Sequence, residues 1–261
     1  MPGLTAPIVL FAVVWLAAAG SLVVRGRLEE LVLAIFVAVV VLLGIALTRA
    51  VTSRPPTAER RRDGQTVAQA VLLIALVLFS CVRFGPPSLI YLTGWGYVPL
   101  WAYVLLLFAV PLVVVFALGA KPGDVGLQRG YRSFAAAGVW VGLRALMLAP
   151  AFVSGQILRA AGMMVLHVFA VAFPEELIFR GILQTRLCLL AGSSWAVVLT
   201  GLLFGLWHLG VNASAYEGDL ATAAARSVLV QGTLGLGYSF LFARTRSLIA
   251  PSLAHAAFNA N

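Results

Sequence analysis

The residues able to do chemistry in this chain are few, and most of them lie inside apolar stretches. They are Arg144, His167, Glu175, Glu176, Arg180, His208, Arg226 and His255, with Asn259 as a neutral companion. Ionisable side chains at membrane depth are costly and usually mark function. A carboxylate in a poorly solvated place becomes a competent base near neutral pH. Two imidazoles and a carboxylate are also adequate ligands for a divalent metal such as zinc, with a fourth position left open. No Ser or Cys stands beside a neighbouring base, and there is no HExxH.

Counting along helices tells which of these residues can meet. The stretches 160–190 and 194–211 are joined by "AGSS", a tight turn that makes them an antiparallel hairpin. Glu175 and His208 are equally far from that turn, so at about 1.5 Å of rise per residue both reach the same height. Gln184, Thr185 and Arg186 suggest that the stretch before the turn is interfacial or cytosolic. In "APSLAHAAFNAN", His255 lies roughly 12–13 Å above the basic turn Arg244–Arg246 by the same rise, and Asn259 is one turn further on the same face. Three helices thus deliver Glu175, His208 and the His255/Asn259 pair to similar depth. Glu176 and Arg180, four apart, are expected to neutralise each other and brace the helix under Glu175. Pro174 is expected to kink that helix, and Phe204, one turn before His208, to wall the cavity. His167 and Arg144 read as structural.

The elements that position these residues are membrane helices. The 261 residues are 62% hydrophobic and 10% charged, and the mean hydropathy is +1.02. Soluble domains are far more polar. The fold class is an all-α polytopic membrane protein with about eight transmembrane helices plus a short C-terminal helix. Spans of about 20 residues fall near 5–24, 31–48, 66–84, 98–120, 134–153, 160–190, 194–211 and 222–243, with the last helix near 248–260. Residues 1–120 read as an N-terminal four-helix region of unassigned role, and 121–261 as the functional core. The first twenty residues lack a basic n-region and read as a retained span rather than a signal peptide. Arginines of the loop 49–65, of "KPGDVGLQRGYR" and of later turns collect on one side. That places the N-terminus in the cytoplasm, in a bacterial inner membrane. The net charge of +9 then reflects topology and anionic lipid rather than nucleic acid, for which no aromatic-lined basic groove is present. Cys81 and Cys188 stand in different segments and read as small hydrophobes.

In order along the chain, "EELIFRG", "FGLWH" and "HAAFN" match EExxxR, FxxxH and HxxxN. Together they resemble the CPBP family of CAAX-protease and bacteriocin-processing intramembrane endopeptidases, also called Abi. "GDVGLQRG" is similar to the short lead-in common in that family, and the resemblance covers about residues 120–261. It implies that Glu175 activates a water, that His208 and His255 bind a metal or polarise the scissile carbonyl, and that Asn259 helps to hold the oxyanion. Glu176 and Arg180 would support them. A metal site of Glu175, His208 and His255 and a metal-free glutamate mechanism both remain open, and only the second leaves Glu175 as base. The implied partner is a membrane-anchored protein or peptide substrate. Two other readings stay beside the endopeptidase: a transporter or channel with an intramembrane Glu/His relay, and a non-catalytic immunity or scaffold protein.

Overall fold

The computed structural model describes residues 5–52, 66–72, 74–75, 109–117, 119–147 and 157–259, and among these it contains helices and no strands. The principal elements are α1 (Thr5–Val24), α2 (Leu28–Val51), α3 (Val110–Ala117), α4 (Ser133–Met147) and α5 (Leu158–Ala191). They are followed by α6 (Ser193–Trp207), α7 (Leu209–Ala215), α8 (Leu220–Arg226), α9 (Thr233–Thr245) and α10 (Ile249–Asn259). Four stretches of the described chain are long and apolar enough to cross a membrane: α1, α2, α5 and the Ser193–Ala215 run of α6 and α7. The protein is an integral membrane protein. The spans expected near 66–84 and 98–120, and Cys81, lie largely or wholly outside the described residues. The described part of the expected span 134–153, up to residue 147, lies in α4, and 222–243 is described as α8 and α9 joined by a π turn, Ser227–Gly232.

The outer helices show their apolar side chains to the surroundings, with Leu16 64%, Leu158 84% and Phe169 74% exposed. Lipid is a good solvent for such side chains and water is not. The interior is aromatic: Trp140, Phe179, Phe204, Trp207, Tyr238 and Phe242 are buried together. Trp140 of α4 ties the N-terminal hairpin to this core. Its ring lies over Gly44 of α2, where an added Cβ would sit 2.8 Å from it, and its Nε1 donates to Thr48 Oγ1 at 3.0 Å. At the end of α2, Arg244 of α9 donates to Thr52 Oγ1 at 2.9 Å.

The sequence led us to expect a kink in α5 at Pro174. The helix does not break there. It is underwound on either side by π turns, Val168–Ala172 and Leu177–Gln184. Proline has no N–H and its ring collides with the carbonyl four residues back. An i−5 bond, Phe173 N to Val168 O, opens the turn and accommodates the ring. The α5–α6 turn is one residue, Gly192, at φ 91° and ψ 165°, a conformation that side chains with a Cβ rarely adopt.

Two close approaches set the depth of the remaining helices. α6 meets the π turn Ser227–Gly232 and α9 through glycine: a Cβ on Gly205 would lie 2.6 Å from Ser227 O, and one on Gly201 2.9 Å from Leu236 N. Small residues at such a seam let helix backbones touch. The segment 126–131 clasps the α9–α10 turn, with Tyr131 N donating to Thr245 O at 2.8 Å and Leu248 N donating to Gly126 O at 3.0 Å. Ser247 Oγ also donates to Gln128 O, at 2.6 Å. The lead-in read from sequence is thus the strap from which α10 rises. Gln184, Thr185 and Arg186, expected at an interface or in cytosol, are buried by protein instead. Gln184 donates to Ser239 O on α9 at 2.9 Å, and Arg186 reaches Gln69 Oε1 at 3.3 Å. The count along α5 had no means of seeing those neighbours.

Candidate active site

α5 supplies the carboxylates, and consecutive helical residues point about 100° apart. Glu176 turns inward and is fully buried, whereas the Glu175 side chain keeps 13% of its surface exposed. Glu176 Oε1 accepts from Arg180 Nη1 at 2.9 Å, and the same oxygen accepts from His255 Nδ1 at 2.9 Å. Arg180 is itself buried, donates through Nη2 to Gly235 O at 2.9 Å, and stands 4.4 Å from the centre of the Phe204 ring. A buried pair needs further bonds to offset its desolvation; α9 supplies Gly235 O and α10 supplies His255 Nδ1, while Glu176 Oε2 and Arg180 Nε find no partner among the described residues.

His255 is 3% exposed. Because Nδ1 is engaged by Glu176, the ring presents Nε2, which lies 3.9 Å from Glu175 Oε2. Its plane is set by aromatic neighbours: Tyr238 stacks on it at 5.0 Å and 18°, and Phe204 meets it edge-on at 5.5 Å. His208 sits where the helix is interrupted between α6 and α7, at φ −86° and ψ 0°. Its Nδ1 lies 2.8 Å from Phe204 O. A carbonyl only accepts, so the proton is on Nδ1 and Nε2 is the nitrogen left for chemistry. Phe204 is within 4.7 Å of the His208 ring as well, so this phenylalanine touches both imidazoles.

Residues 157–261 match the family model described as Type II CAAX prenyl endopeptidase Rce1-like. The matched segment, less than half of the chain, is similar to that family. The three motifs lie wholly within it, and this is the family their order suggested. No curated protein and no solved structure matches the chain. In general terms, the match supports a membrane endopeptidase of the CAAX type.

Within the Rce1-like segment, Asn259 closes α10 half-buried, one turn beyond His255. Arg144, read as structural, donates to Ala257 O near the end of the same helix at 3.2 Å. Arg226 pairs with Glu30 of α2 and with Tyr216, away from the other site residues. His167 remains on α5, and Cys188 is buried in the core. Among the described residues no three His, Cys, Asp or Glu side chains gather into a set able to hold a metal ion.

Two features escaped the sequence reading. One is the bond from His255 to Glu176, which had been given to Arg180 alone. The other is Tyr238, which lies about as far before the Arg246–Leu248 turn as His255 lies after it. The count that paired Glu175 with His208 would have paired these two.

Proposed function

We propose that the protein is an intramembrane endopeptidase that hydrolyses a peptide bond of a membrane-associated protein or peptide, with Glu175 as the base. The observation that carries this reading is the asymmetry of the two carboxylates. Glu176 is committed to Arg180 and His255 in the dry interior, while Glu175 is partly open and faces His255 Nε2 at 3.9 Å. In the proposed reaction Glu175 takes a proton from a water as the water oxygen bonds to the scissile carbonyl carbon. The carbonyl oxygen becomes an oxyanion, for which Asn259 offers an amide donor and His208 and His255 donate from Nε2 once protonated there. Return of the proton to the amide nitrogen breaks the C–N bond and leaves a carboxylic acid and an amine, which exchange a proton to become carboxylate and ammonium. Glu176, Arg180 and Phe204 position the imidazoles. The arginine-rich loops support a plasma-membrane protein with a cytoplasmic N-terminus.

The test is cleavage by the full chain in lipid vesicles. Internally quenched peptides ending in a prenylated Cys–aliphatic–aliphatic–X sequence, the kind of substrate the family description names, serve as probes beside unprenylated controls. Wild type is expected to cleave, and Glu175→Gln, His208→Ala and His255→Ala to lose about 10²-fold or more. Wild-type rates in all three variants would overturn the assignment.

A further inference from the structure

Tyr238 of α9 is 1% exposed and lies among the site residues without matching any of the three motifs. Its ring stacks on His255, and its ring centre is 5.5 Å from Arg180 Cζ. Phe204 meets it edge-on at 6.2 Å. Its hydroxyl finds no hydrogen-bond partner among the described residues. Phenylalanine would provide the same stacking without burying an unbonded hydroxyl, which is costly. Packing therefore accounts for the ring and leaves the oxygen unexplained.

Two further buried oxygens beside His255 share that condition, Glu175 Oε2 and Glu176 Oε2. A phenolic O–H is a donor and carboxylate oxygens are acceptors. One donor and two acceptors around a single imidazole make the kind of polar lining that holds a water molecule, which needs two to four partners. From this we infer that the Tyr238 hydroxyl holds the reacting water, donating to its oxygen while one of the water's hydrogens faces Glu175 Oε2. This inference rests on the endopeptidase reading of the same site. Held this way, the water keeps one lone pair for the substrate and offers a proton to Glu175. Tyr238 thereby joins the site as a water-binding residue, contributed by a helix that carries none of the motif residues.

Tyr238→Phe isolates the hydroxyl, because the ring and its stacking are retained. The variant is compared with wild type and Glu175→Gln in the full chain, using the quenched peptides for kinetics and thermal unfolding in detergent for stability. A fall in kcat of about 10²-fold, with KM within about two-fold and Tm unchanged or higher, is the expected result. A hydroxyl with a structural partner would instead lower Tm along with activity, and that result overturns the inference with or without a cleaved peptide. If Glu175→Gln is inactive and Tyr238→Phe cleaves at the wild-type rate, the water-holding role falls and the endopeptidase reading stands. If Glu175→Gln cleaves normally, both fall.

Discussion

Removing Arg180 should damage stability more than removing Arg180 and Glu176 together. The pair is fully buried and Oε1 of Glu176 is shared by two donors, each at 2.9 Å. Arg180→Leu leaves a carboxylate with the His255 ring as its only bonded partner, and Glu176→Leu leaves a guanidinium with Gly235 O. Stranding one member of a buried ion pair costs about 3–5 kcal/mol. Replacing both by apolar residues of similar volume ranges from neutral to about 1–4 kcal/mol stabilising. The double variant Glu176→Leu/Arg180→Leu should therefore recover most of the loss, and a double-mutant cycle should give a coupling of at least about 3 kcal/mol. Its activity should not recover, because Nδ1 of His255 has lost the acceptor that fixes the ring. The measurement is reversible unfolding in mixed micelles, with peptide cleavage run on the same preparations. Single variants within about 1 kcal/mol of wild type, or a double variant as unstable as the sum of the singles, would refute the reasoning.

The glycine seam gives a paired test. Gly205→Ala should destabilise by about 1–3 kcal/mol, because its Cβ meets the Ser227 carbonyl at 2.6 Å, outweighing the gain of about 1 kcal/mol in helix propensity. Gly138→Ala on α4, with nothing within 4 Å of its Cβ, should keep that gain and raise Tm. The loop before α8 should confer an acid-side pH dependence. Bonds from the Thr222 hydroxyl and backbone N–H hold the Asp219 carboxyl below its ordinary range. A lowered folded pKa stabilises above the unfolded value, near about 4, and that contribution fades as pH falls through the folded value. Asp219→Asn should flatten the fall of Tm between about pH 5 and 3, as read by thermal scans at stepped pH.

The parts of this architecture legible in the sequence were those governed by local rules. Apolar length located α1, α2, α5 and the α6–α7 run, and "AGSS" located a turn that proves to be Gly192 alone. Helical rise brought Glu175, His208 and His255 toward one level, and i,i+4 spacing paired Glu176 with Arg180. What could not be read were contacts that depend on helix rotation and on distant segments. The depth of His255 was countable, but whether Nδ1 would turn to Glu175 or Glu176 was not. The base of α10 is held by the Gly126–Tyr131 strap, a contact between residues more than a hundred positions apart. Burial of Gln184 and Arg186 failed to show for the same reason, since their cover comes from Ser239 and Gln69.

The adjacency of the two glutamates follows from that geometry. A base meant to take and return a proton has to meet water, whereas the acceptor that orients an imidazole works best where water cannot compete. One position cannot satisfy both demands, but two consecutive helical residues about 100° apart can. Glu176 points inward to His255 of α10, with Arg180 one turn away to balance its charge. Glu175 is left at the opening, facing the other nitrogen of the same ring. Moving the inner carboxylate by one residue to either side would swing it out of reach of Arg180 and His255 together. Glu176→Gln with a new Glu at Leu177 should therefore fail to restore what Glu176→Gln alone loses, in both unfolding and cleavage. Recovery by that shifted carboxylate would mean that charge on α5 matters and its direction does not.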